Sequence, residues 1–115
     1  MQKHKRSGGR RWLHYWVLSG LKEAEGEGSK GSITQWVLKR IEGELVASDY
    51  EGVKTGETNI ENAIAFAQAD LVEDRRMESG TLKDVWRISE QGRRWLEQHP
   101  TPWKRGNLRG LDEEW

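Results

Sequence analysis

The 115-residue sequence predicts an α+β fold, mainly helical, in which three helices, a β-hairpin and a final helix follow one another. Three observations carry this. Apolar residues recur at helical spacing in three separate stretches before residue 72. Two strand-like runs then flank the short turn "ESG" (78–80). Finally, "VWRISEQGRRW" (85–95) passes from strand to helix with no loop between them.

The elements follow in order. "MQKHKRSGG" (1–9) is polar, ends in a glycine pair and reads as a flexible basic arm. "RRWLHYWVLSGLKEA" (10–24) carries apolar residues at 12, 13, 16, 17, 18 and 21, one wide helical face. "EGEGSKG" (25–31) reads as a glycine-rich loop. Ser32 is the expected cap of a second helix over 33–45, with Ile33, Trp36, Val37, Ile41 and Leu45 as its apolar stripe. Residues 46–57 support no more than a turn or short strand. Thr58 or Asn59 caps a third helix over 60–71. Its core face is Ile60, Ile64, Ala67 and Leu71, with Ala63 and Phe66 beside them. Glu61, Asn62, Ala65, Gln68 and Ala69 lie opposite.

"LVEDRRM" and "LKDVWRIS" are the expected arms of the hairpin. Ser89 then caps the fourth helix, which stops at His99-Pro100 because proline removes a donor and disfavours helix before it. Gly92 costs roughly 1 kcal/mol against alanine inside a helix. Its expected purpose is a close approach of the helix start to the hairpin backbone. This order of elements is that of a winged helix-turn-helix, with the third helix as reader and the hairpin as wing. The domain is expected to span 10–99, followed by a tail over 100–115.

Hydrophobic residues make up 34% of the chain and charged residues 33%, so the core must be small and built from large side chains. Seven Trp supply the bulk, each removing about 150–250 Å² from water when buried. Trp12, Trp16, Trp36, Trp86 and Trp95 fall on apolar stripes. Trp103 and Trp115 lie outside them, and are either docked on the body or part of a dimer contact. Absence of cysteine excludes disulfides and thiolate zinc sites and fits a cytoplasmic protein. No run approaches the roughly 18 apolar residues of a membrane span.

The stretch from about Asn59 to Leu96 resembles the amino-terminal winged-helix domain of Mrr-type restriction proteins. The matching pieces are "AIAFAQADLVED" and "VWRISEQGRRWLE", with Ala63, Ala67, Leu71 and Val72, then Trp86, Arg87, Ile88, Ser89, Glu90 and Gly92. The sequence departs from the family at Asn59–Ala63, where an arginine is usual, and at Asp70, set against a glycine. The nuclease half of such proteins is absent. The resemblance implies a DNA-reading module in transcription regulation or in a restriction or defence system, without catalysis.

Three groups are candidates for double-stranded DNA. On the third helix, Asn62 and Gln68 lie opposite the core face, and amides of this kind bond adenine in the major groove; Thr58 and Asn59 at its start are candidates beside them. Glu61 and Asp70 count against this, since carboxylates near phosphates repel. Arg75, Arg76 and Lys83 lie on the wing, but residues 54–83 sum to −2. Lys3, Lys5, Arg6, Arg10 and Arg11 form an uninterrupted +5 arm for phosphates. The alternative is a winged helix used for protein contact, or as a homodimer, through Trp103, Trp115 and the 25–31 loop.

Enzyme motifs fail. "GEGSKGS" (26–32) lacks phosphate-loop spacing, and a helix precedes it where a strand is needed. Glu51 and Lys54 in "DYEGVK" are three apart, on opposite faces of any strand. His4, His14 and His99 have no ligand spacing, so no metal, cofactor or catalytic residue is expected.

Overall fold

A computed structural model describes residues 8–105. It is α+β and mainly helical, with four α-helices and one two-stranded antiparallel sheet among the described residues. The order is α1 (Gly8–Glu23), β1 (Glu27–Ser29), α2 (Lys30–Ile41), two 3₁₀ turns (Glu42–Glu44 and Ala47–Tyr50), α3 (Asn59–Glu73), β2 (Val85–Arg87) and α4 (Glu90–Gln98).

Helix α1 is the centre of the packing. Its stripe of Trp12, Leu13, Val17, Leu18 and Leu21 is buried against α2, α3 and α4. It starts at Gly8, two residues before the expected domain boundary. Its end is closed by Glu25 in the left-handed region, with Gly26 N–H donating to the Leu21 carbonyl at 2.7 Å.

The expected loop 25–31 is not all loop. Glu27–Ser29 forms β1, which pairs antiparallel with β2 in the register Glu27 to Arg87, Gly28 to Trp86 and Ser29 to Val85. Glu27, Gly28 and Ser29 have little strand propensity of their own, so the partner strand imposes the conformation. Gly28 lets Ile33 pack against the strand, since a Cβ would sit 2.9 Å from Ile33 Cδ1. The cap of α2 moves accordingly, from Ser32 to Ser29, whose Oγ accepts the Ser32 N–H at 3.1 Å. Helix α2 also ends earlier than expected, at Ile41, and its last turn becomes 3₁₀ around Gly43.

Helix α3 carries a capping box. Thr58 Oγ1 accepts the Glu61 N–H at 3.2 Å, and Glu61 Oε1 accepts the Thr58 N–H at 2.9 Å. The face Ile60, Ile64, Ala67 and Leu71 is buried as its spacing predicts. Phe66 is not part of it; this ring is 51% exposed. The helix runs on to Glu73, through residues expected to begin a strand. Leu71 still falls on the core stripe, so burial favours one more turn of helix. Arg75 at φ 64° then closes it, with Arg75 N–H to Val72 O at 3.0 Å and Arg76 N–H to Leu71 O at 2.8 Å. The backbone position that suits glycine is thus Arg75, not Asp70, which is helical.

The first arm of the hairpin is reduced to one antiparallel bridge, Met77 to Ile88, one of whose two bonds is Glu78 N–H to Arg87 O at 2.9 Å. The strand-to-helix junction is as tight as the sequence suggests. Ser89 Oγ accepts the Gly92 N–H at 3.0 Å and donates to Arg75 O at 2.7 Å, while Ser89 N–H donates to Arg76 O at 3.1 Å. The tail is docked through residue 105. Trp103 is buried, edge-on to Trp95, and its carbonyl accepts Trp16 Nε1–H at 2.8 Å. Arg105 forms a two-bond pair with Asp49 at 2.7 and 3.0 Å. The folded body therefore extends past His99, and Trp103 is part of the core. Trp115 lies outside the described residues.

Two substitutions test this account of the α3–α4 junction. A Cβ on Gly92 would overlap the Arg76 carbonyl oxygen and sit 2.9 Å from Ile88 Cγ1. Gly92→Ala should therefore destabilise by about 2 kcal/mol despite alanine's better helix propensity. Arg75→Gly should stabilise by about 0.5–1 kcal/mol by relieving the left-handed side chain. Urea titration checks both, as midpoint shifts with unchanged slope.

Candidate nucleic-acid interface

The outward stripe of α3 is Asn62, Ala65, Phe66 and Ala69. Asn62 and Ala65 are half-buried, while Phe66 and Ala69 are exposed. Among the described residues the Asn62 and Gln68 side chains make no hydrogen bond, so both amides keep their full bonding capacity. Gln68 lies on the flank of the stripe rather than at its centre, four residues from Ile64 and three from Leu71. Thr58 is occupied by the capping box. Asn59 Nδ2 donates to the Ser48 carbonyl at 2.8 Å and ties the 3₁₀ turn to the helix start.

The two acids expected to oppose DNA on this helix, Glu61 and Asp70, behave differently from the expectation. Glu61 is the reciprocal half of the capping box. Asp70 is buried in the α1–α3 seam. Its Oδ2 accepts Arg10 Nε–H at 2.8 Å and lies 3.1 Å from His14 Nε2, while Oδ1 accepts from Arg10 Nη2 at 3.2 Å. Burial alone would raise its pKa. The hydrogen bonds and charges of His14 and Arg10 outweigh that and hold the carboxyl well below the usual range. Glu73 is exposed on the last turn and interacts with neighbouring groups.

The basic candidates are dispersed. Arg10 and Arg11 belong to α1, not to an arm. Arg11 is buried. Lys3, Lys5 and Arg6 lie outside the described residues. Arg75 is exposed at the end of α3, and Arg76 lies 5.2 Å over the Trp95 ring, half-buried against α4. Lys83 is exposed in the hairpin loop beside Leu82, which is 80% exposed.

Comparison with protein-family models, with curated proteins and with solved structures finds no match. Among the described residues no group of three or more His, Cys, Asp or Glu is placed to hold a metal ion, and no helix is long and apolar enough to cross a membrane.

Several residues here escape sequence reading. Lys30 starts α2, donates its N–H to Asp84 O at 2.8 Å and pairs with Glu57 at 3.2 Å, joining the hairpin loop to the segment before α3. These residues line a cleft of about 440 Å³ with Glu61 and Gln35. Elsewhere, Trp16, Trp36 and Tyr15 line a groove of about 660 Å³, with Arg40 stacked 4.4 Å over Trp36. Residues far apart in the chain meet at both places, and no local pattern announces them.

Asp70 makes a prediction about pH. Its folded pKa lies below the unfolded value near 3.9, so its stabilisation is present above about pH 4 and is lost as pH falls through the folded value. Asp49, held low by Arg105, acts in the same direction. Wild-type stability should fall steeply below about pH 4, and Asp70→Asn should flatten that fall while costing about 3 kcal/mol at neutral pH. Denaturant titrations across pH 2–7 measure both.

Proposed function

We propose that this chain is a small winged helix-turn-helix module that reads duplex DNA, with the outward stripe of α3 in the major groove and the 77–88 hairpin as its wing. The observation that carries the proposal is the fate of two of the three carboxylates on α3, the third being Glu73, exposed on the last turn. Glu61 is spent on capping and Asp70 is buried with Arg10 and His14. What α3 offers outward over its first three turns is an unpaired amide, two alanines and a phenylalanine, with Glu73 following on the last turn. Small residues permit close approach to base edges, and Asn62 has the chemistry to bond adenine.

Other features support the same reading. The order of elements, with β1 paired to the return strand of the hairpin, suits a winged helix. The resemblance of residues 59–96 to the amino-terminal domain of Mrr-type restriction proteins points the same way, toward a regulator or the recognition piece of a restriction or defence system. Phosphate contacts would come from Lys83 on the wing, Arg75 at the end of α3, and the basic residues Lys3, Lys5 and Arg6. The proposed activity is binding, without catalysis.

A second reading has its own observation. Phe66 at 51% exposure and Leu82 at 80% are large apolar groups on the same proposed reading surface. Such groups also suit contact with a protein.

Fluorescence anisotropy with a labelled random-sequence duplex separates the two. The DNA reading predicts binding at about 50 mM salt that falls steeply toward 200 mM. Asn62→Asp, which adds a carboxylate to the stripe, should weaken it roughly tenfold, an effect on the order of 1.4 kcal/mol. Absence of binding by the wild-type protein at low salt would contradict the proposal.

A further inference from the structure

The geometry points to Asp70 as a positioning residue that presents the Arg10 guanidinium to a DNA backbone phosphate at the edge of the α3 stripe. This rests on the DNA reading above and adds a phosphate site to it. Arg10 is held from two sides. Asp70 takes Nε and Nη2 in a two-point pair at 2.8 and 3.2 Å, and the Phe66 ring lies 5.4 Å from the guanidinium carbon. That fixes the plane of the group. Nη1, with two N–H donors, has no partner among the described residues.

The order of exposure favours an anion. The Asp70 side chain is 8% exposed and that of Arg10 is 20%. The carboxylate lies deeper and is shared with His14 Nε2 at 3.1 Å. A group approaching α3 beside Phe66 therefore meets the cation before the acid. A guanidinium whose plane is already fixed loses less entropy per hydrogen bond to a phosphate than a free one does. In this arrangement an acid on α3 promotes binding of a polyanion, the reverse of what its charge alone implies.

That reversal is testable in the full chain, with the same random-sequence duplex. Asp70→Asn removes a negative charge, so charge alone predicts tighter binding. Positioning predicts binding weakened roughly five- to tenfold, with the charge of Arg10 still present. Arg10→Gln should lower the slope of log affinity against log salt by about one phosphate contact. Arg10→Lys should keep most of the slope and lose affinity, because an ammonium cannot make the two-point pair. Far-UV circular dichroism and thermal melts establish that each variant is folded at the assay temperature. If Asp70→Asn does not fold, the Arg10→Gln and Arg10→Lys pair decides. Wild-type binding with unaltered affinity and slope in the Arg10 variants overturns this inference and leaves the DNA reading standing. Equal or tighter binding by folded Asp70→Asn does the same. Failure of the wild-type protein to bind overturns both.

Discussion

A carboxylate buried between two helices sets what the third helix can offer. Asp70 lies in the seam between α1 and α3, held by Arg10 and His14. A buried acid with these partners has few places to go, because removing either partner leaves a charge in a poorly solvated site. It therefore fixes the rotation of α3 about its own axis. Ile60, Ile64, Ala67 and Leu71 turn inward, and Asn62, Ala65, Phe66 and Ala69 turn out. The same knot withdraws Asp70 from the edge of the outward stripe, while Glu73, four residues after Ala69, stays exposed on the last turn.

The position of the hairpin depends on a second constraint, the backbone of Arg75 and Arg76. Two consecutive carbonyls there accept both bonds from Ser89, and Gly92 packs directly onto them. The end of α3, the return strand and the start of α4 thus share one point. Helix α3 and the hairpin are oriented relative to each other through that point, which is what a two-part grip on a duplex requires. The hairpin itself is weakly built, its arms joined by the single Met77–Ile88 bridge, made by Glu78 N–H to Arg87 O and Ser89 N–H to Arg76 O. Its geometry comes mostly from β1 on the far side, through Lys30 and Asp84 as well as the strand pairing.

Much of this was legible from local pattern. Four helices, the return strand at 85–87, the Ser89 cap and the reason for Gly92 follow from spacing and from what glycine costs in a helix, whereas the first arm of the expected hairpin forms no strand. The misses share a physical origin. Ser29 and Ser32 are equally good caps, and only the pairing of 27–29 with 85–87 chooses between them. Phe66 lies beside the apolar stripe of α3, but the element that meets it from α1 is Arg10, not a hydrophobe. Asp70 and Arg10 are separated by 60 residues, and Asp49 and Arg105 by 56. Periodicity within one helix carries no information about a partner that far away. The same holds for Trp103, whose docking depends on Trp16 and Trp95 together. Of the twelve candidate DNA contacts, the helix residues Asn62 and Gln68 keep free side chains, whereas Thr58, Asn59 and Arg11 are taken up by the fold.

The central claim is that the outward stripe of α3, bordered by Arg10, is the surface that meets DNA. Titration of the ¹⁵N-labelled protein with unlabelled duplex, followed by amide chemical shifts, tests it directly. The account predicts the largest shifts at Asn62, Ala65, Phe66 and Ala69, with Arg10 and the hairpin loop around Lys83 next. Shifts confined to the Trp16–Trp36 groove, or no shifts at low salt, would contradict it.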